Sequence, residues 1–369
     1  MIVPVHAVVF TILLFLLLPV NAQSEAGKKE ALALVRQALD VAGKQQNYTQ
    51  ALDLLAKARK LDPKNPDYQY ETAYIYYLQK NYGQVIKELK RTVSRGKAPD
   101  ARYFQLLGNA YDLSNQPHNA TDAYKDGIKQ FPDAGNLYLE LGGMAYKSGN
   151  NDEAVEYWEK GIQNAPSFAS NYYWAAKLYC LSSEKIWGIL YGELFILLEP
   201  NSARSEEMSS LLFDTYRAAM VVNPNSTWQN WVSFSERAHM YIMLGAGEEN
   251  EQPPFQVAVD DAMTNALKPE MKNKNIQAIY RLRQLFLDNW MAKAYNMPYQ
   301  NLVFDWWRQV KDAGYLEAYT YWLFRKGNPD EFDIWLKKNS VEFKTFLQWY
   351  NSQPLKLSRQ QRFYRLQYL

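Results

Sequence analysis

The sequence predicts an all-α chain: about five helical hairpins stacked into a solenoid, followed by an aromatic-rich helical region. Three observations predict it. A spacing of 34 residues recurs, because Pro63, Pro132, Pro166 and Pro200 each close a helix–turn–helix segment and the last three are 34 apart. Bulky and small side chains hold fixed places within each segment, which lets helices approach closely at the small positions and fill the gaps at the large ones. Strand-period alternation is absent throughout. The divisions read as a leader over 1–22, the hairpins over 23–202 and a further helical domain over 203–369.

The leader reads from its apolar core, Val8 to Leu18, which Pro19 breaks before the short residues of Val20-Asn21-Ala22. This is the pattern of a signal peptide cut after Ala22. Met1 to Ala7 carries no Lys or Arg, so a retained N-terminal membrane anchor is the alternative, with Pro4, His6 and Pro19 against it. No Cys lies near the cut, so no lipid anchor is expected.

The hairpin is clearest in Leu137–Pro166. Tyr138, Leu141, Gly142 and Ala145 share one helix face, Lys147 to Asn150 reads as a turn, and Ala154, Trp158 and Gly161 mark the second helix. The segment before it repeats the set with Tyr103 or Phe104, Leu107-Gly108, Tyr111, Ala120, Tyr124, Gly127 and Pro132. Ala73, Tyr76, Val85, Leu89 and Thr92 do so earlier, with Lys97 where Pro is expected. Ala51, Leu55, Ala58 and Pro63 form a clear second helix after a weaker first one, Lys28–Val41. The fifth segment fits through Tyr172, Ala175, Ala176 and Tyr179, then only through Gly188, Gly192 and Pro200.

These offsets resemble the tetratricopeptide repeat, over somewhat under half of the chain. The resemblance implies a right-handed α-solenoid in which the first helices line a concave groove that receives a peptide or helix. By position, the groove residues would be Tyr70, Tyr74 and Tyr77, then Arg102, Gln105, Asn109 and Asp112, then Asn136, Leu139, Gly143 and Tyr146, and finally Tyr173 and Lys177. Some family members grip a peptide carboxylate with a Lys/Arg/Asn cluster. Here Asn109, Arg102 and Lys177 lie on different repeats, so no such clamp is expected. Tyr70, Tyr74 and Tyr77 are spaced four and three and share a helix face.

After Pro200 the period fades. Ser205–Val222 reads as a helix, Asn223 to Ser226 as a turn opening a helix at Thr227, and Gly245–Pro254 as an acidic loop. Helical patterns follow over Phe255–Leu267, Lys274–Tyr295, Tyr299–Ala313, Tyr315–Lys326, Asp330–Lys338 and Val341–Ser352. Eight of the 11 Trp lie beyond Asn223. They suit a core of large side chains, or an exposed platform for glycan. Adjacent Trp306 and Trp307 differ by ~100° around a helix, so one of them is expected to be exposed or to sit at an interface. Pro354–Leu369 carries Lys356, Arg359, Arg362 and Arg365 without an acid, and reads as a basic amphipathic helix that either docks on the domain or touches a membrane.

Chemistry is sparse. The net charge of +2 excludes a strongly basic nucleic-acid protein. Cys180 is the sole cysteine, so no internal disulfide forms, and it reads as a small buried hydrophobe. His118 and His239 have no partner at metal-ligand spacing, and no phosphate-cradling loop or nucleophile motif is readable. The carboxylates Asp260-Asp261 and Asp330, Glu331 and Asp333 read as structural. The sequence thus points to an exported, non-enzymatic scaffold without a cofactor that binds a partner chain in the groove, periplasmic or secreted, serving envelope assembly or secretion. The alternative is a glycan-capture module.

Overall fold

The structure, a computed structural model, describes residues 25–96, 98–223, 230–244, 252–353, 355, 357–358 and 360–368. The expected leader lies outside the described residues, as do Trp228, most of the Gly245–Pro254 loop, Lys356 and Arg359. The chain divides into two compact units, Met1–Pro99 and Asp100–Leu369. The first holds α1 (Glu25–Gln45), α2 (Tyr48–Leu61), α3 (Asp67–Leu78) and α4 (Tyr82–Ser94). The second opens with α5 (Arg102–Leu113), α6 (Pro117–Gln130), α7 (Gly135–Lys147), α8 (Asn151–Asn164), α9 (Ala169–Cys180), α10 (Lys185–Leu198) and α11 (Ala203–Ala219). No described helix is long and apolar enough to cross a membrane.

The hairpins share one turn. Gln46, Lys80, Asn115 and Gly149, 34 or 35 residues apart, adopt the left-handed conformation that ends a first helix. The next residue starts the second helix: the side chains of Asn47, Asn81 and Asn150 accept an N–H of its first turn, and Gln116 is followed by Pro117 in the first turn of α6. Such Asn caps contribute about 1 kcal/mol each. The small positions are close approaches. A Cβ on Gly108 would lie 2.2 Å from the Tyr124 ring, and one on Gly142 would lie 2.2 Å from Trp158 Nε1. The Leu-Gly of α5 and that of α7 are therefore the seats for Tyr124 of α6 and Trp158 of α8.

Within the second unit the first helices form a row, with α5 against α7, α7 against α9, and α9 against α11. Ser202 caps α11 through a reciprocal box with Ser205. Beyond it lie α12 (Glu236–Met243), α13 (Phe255–Ala266), α14 (Ile276–Ala292), α15 (Leu302–Asp312), α16 (Leu316–Leu323), α17 (Pro329–Lys338) and α18 (Ser340–Ser352). One hydrophobic core runs from Ala145 of α7 to Phe363 beyond α18, so packing is continuous across residue 202.

Three expectations are corrected. The helix expected from Thr227 is replaced, in its described part, by a short strand, Trp231–Val232, paired antiparallel with Met220–Val221. Tertiary partners hold this extended backbone. Thr264 Oγ1 bonds both the N–H and the C=O of Val232, and the Asp260 carboxylate accepts the N–H groups of Phe234 and Ser235 at 3.1 and 3.3 Å.

Second, Trp306 and Trp307 are both buried. Trp307 faces α10 and α14, while α18 covers Trp306 with Trp349 stacked on it at 5.7 Å. A helix sandwiched between two layers buries both neighbours. Among the described Trp none is exposed, and Trp174, Trp231 and Trp349 are half-buried.

Third, the basic terminus is not an amphipathic helix in its described residues. It runs as an irregular strap ending in a 3-10 turn, Arg365–Tyr368. It reaches hairpin four as well as the C-terminal helices. Arg365 forms an ion pair with buried Glu159 at 3.0 Å, which also accepts the hydroxyls of Tyr179 and Tyr191. Phe363 is buried beside Trp187 and Tyr191, and Tyr368 stacks on Phe255 at 4.3 Å. Arg362 donates to Gln163 O. The expected membrane-facing cations are therefore engaged within the protein at Arg362 and Arg365.

Candidate functional site: the first-helix faces

The carried-over groove residues fall into two sets, one per unit. On α3, Tyr74 is exposed, while Tyr70 and Tyr77 are half-buried. Tyr77 meets Tyr82 of α4 edge-on at 5.7 Å. The three share a face as their spacing implies, and part of that face serves the hairpin's own packing.

In the second unit the remaining residues lie along the row of first helices, and several are tied to one another. Asn136 Nδ2 donates to Gln105 Oε1 at 2.7 Å, and Gln105 Nε2 donates to Glu140 Oε1 at 2.9 Å. Asp112 pairs with Lys147 at 2.9 Å. Arg102 is exposed and pairs with Asp100. Asn109 Oδ1 accepts the Tyr124 hydroxyl at 2.6 Å, which restrains its amide. The polar residues are thus braced against each other, so their rotamers are set before any partner arrives.

The far end is aromatic. Tyr146 is 47% exposed and lies against the rings of Trp158 and Trp174. Tyr173 is buried, and its hydroxyl donates to Glu207 Oε2 at 2.5 Å. Lys177 pairs with Glu207 Oε1 at 2.6 Å and sits over the Tyr173 and Trp174 rings. The paired Lys177 and the Tyr173 hydroxyl lower the pKa of Glu207. Arg204 Nη1 donates to Ser170 Oγ at 3.0 Å and its guanidinium covers the Tyr173 ring.

Sequence reading missed Glu140, Lys147, Trp174, Arg204 and Glu207. The signal was the period itself. Tyr173 to Glu207 and Ser170 to Arg204 are separations of 34, and Gln105 to Glu140 and Asp112 to Lys147 are separations of 35. Residues one repeat apart face each other across neighbouring first helices, and α11 supplies one more such helix.

Two tetratricopeptide repeat models match the chain, over residues 42–110 and 106–167. The hairpins within residues 42–167 are tetratricopeptide repeats. A mouse (Mus musculus) protein, tetratricopeptide repeat protein 21B, is 26% identical over 139 residues, which are 38% of this chain and 10% of that protein. Among solved structures, the MamA protein is 21% identical with a TM-score of 0.36, covering 47% of this chain and 93% of that one. The Pseudomonas aeruginosa protein PilF is 17% identical with a TM-score of 0.42, covering 53% of this chain and 86% of that one.

The sequence-marked chemistry elsewhere is structural. Cys180 is buried, and burial pushes its thiol up to about 12. Asp261 binds Lys293 and the Tyr295 hydroxyl. Glu331 accepts the N–H groups of Ile276 and Gln277 at the start of α14. The repeats over residues 42–167 support a role in protein–protein interaction.

Proposed function

We propose that the chain is exported and serves, without catalysis, as a docking platform for a partner polypeptide in envelope assembly or secretion, with the partner lying along the row α5, α7, α9 and α11. The observation that carries this reading is the pre-braced polar row ending in exposed Tyr146, beside Trp174 and the Lys177–Glu207 pair. An exposed tyrosine on a rigid seat supplies a large contact area with few rotors to freeze. The apolar segment Val8–Leu18 supports export.

A photo-crosslinking amino acid at Tyr146 is expected to trap a discrete partner in intact cells. The same group at exposed Asp126 on α6 is expected to trap none. Equal trapping at both sites would remove the docking face from consideration. N-terminal sequencing of the mature chain is expected to begin at Gln23; a start at Met1 would convert the leader into an anchor.

A further inference from the structure

Helix α7 carries two adjacent glycines with different circumstances. Gly142 is required, because a Cβ there would strike Trp158. Gly143 is not required by anything in the fold: a Cβ at Gly143 meets nothing within 4 Å, and its φ is ordinary. Glycine is the least favourable residue after proline in a helix interior, so an unforced one weakens α7 without structural return. What it does provide is bare backbone open to close approach.

The surroundings of Gly143 say what approaches. Glu140 and Tyr146 lie three residues to either side, on the same face of α7. Glu140 is half-buried, held by Gln105 at 2.9 Å, and among the described residues no lysine or arginine forms an ion pair with it. Lys147, the nearest cation in sequence, is committed to Asp112. Burial raises the Glu140 pKa and Asp112 adds to the rise, while Gln105 and Lys147 oppose it. A positioned, partly desolvated carboxylate with no ion-pair partner among the described residues suits a guanidinium or ammonium group. One carboxylate beside an amide is too few ligands for a metal ion.

We infer that the partner segment crosses α7 with its main chain against Gly143 and seats an arginine or lysine side chain on Glu140, with Tyr146 walling the neighbouring position. The inference rests on the docking reading above and adds the chemistry of the bound segment: an extended, cation-bearing peptide.

The test selects a random short-peptide library on the full chain and measures the recovered peptides by fluorescence anisotropy. Recovered peptides are expected to share an Arg or Lys, and to lose about tenfold in affinity when that residue becomes Gln or when Glu140→Gln is made. Gly143→Ala is expected to weaken them several-fold while raising the melting midpoint, which separates a blocked approach from a misfolded helix. Peptides that lose binding on Tyr146→Ala but ignore Glu140→Gln and Gly143→Ala would overturn this inference and leave the docking reading in place. No recovered peptide, or peptides indifferent to Tyr146→Ala as well, would overturn both.

Discussion

Helices α8 and α10 are second helices of successive hairpins, 14 residues each, yet they are buried differently. α8 keeps a wet side, with Asn151, Asp152, Glu156 and Lys160 exposed. α10 is buried at every residue from Ile186 to Leu197. α8 needs to satisfy only its own hairpin and the next one. α10 is also enclosed by the C-terminal helices, through Trp187 on Phe255 and through Glu193 on α14, α15 and α16. A helix apolar all round belongs to a core. At α10 the repeat stops being a stack with two neighbours and becomes the centre of a globule.

The strongest way to break that contrast is at Glu193. Its carboxylate is fully buried, paired with Arg283, and accepts Trp307 Nε1 and the Tyr319 hydroxyl, each at 2.5 Å. The Arg283 guanidinium lies 3.9 Å over the Trp307 ring. Arg283→Met leaves a buried charge uncompensated and is expected to cost about 3–5 kcal/mol in denaturant unfolding. Adding Glu193→Leu is expected to recover much of that loss, since the desolvation cost goes with the charge. A single-variant cost below about 1 kcal/mol would mean that α10 is not the hub described. The equivalent exposed pair on α8, Lys160–Glu156, is expected to be worth under about 0.5 kcal/mol.

A second probe uses pH. Asp260 on α13 is buried, and burial raises its pKa to about 8, with Glu184 adding to the rise and the N–H groups of Phe234 and Ser235 opposing it. An unfolded Asp titrates near ~3.9, so between these values the folded state holds a proton that the unfolded chain has released. Stability from this group is therefore fullest below ~3.9 and falls as pH climbs toward about 8, by up to about 1.4 kcal/mol per pH unit. Asp260→Asn is expected to flatten the slope in denaturant titrations between those limits. The same slope surviving Asp260→Asn would assign it to another group.

The same contrast explains what the sequence reveals. The hairpins, their closing prolines and the seats for Tyr124 and Trp158 are legible because each depends on neighbours at a fixed offset. The placement of these residues along successive first helices is legible up to Lys177 for the same reason, and Glu207 lies one period beyond Tyr173. Trp306, by contrast, owes its burial to Trp349, which no local period connects to it. The strap is equally opaque, since Arg365 finds Glu159 across a separation of 206 residues. The counter-ion gap at Glu140 was not legible either, because it depends on which acid Lys147 chooses.

Two effects of opposite sign are expected at adjacent positions of α7. Gly142→Ala drives a Cβ to 2.2 Å from Trp158 Nε1, and Trp158 is 1% exposed with little room to yield. Overpacking of this kind is expected to cost about 1–3 kcal/mol. Gly143→Ala meets open space and relieves the helix of an unfavourable residue, so it is expected to stabilise by about 0.5–1 kcal/mol. Chemical unfolding of the two single variants beside the parent chain reads both signs. Two stabilising results would mean that Trp158 yields and the large-on-small seat is not what aligns the hairpin. Two destabilising results would mean that the first-helix face at Gly143 is already filled by the protein itself, and that a partner's backbone has no room there.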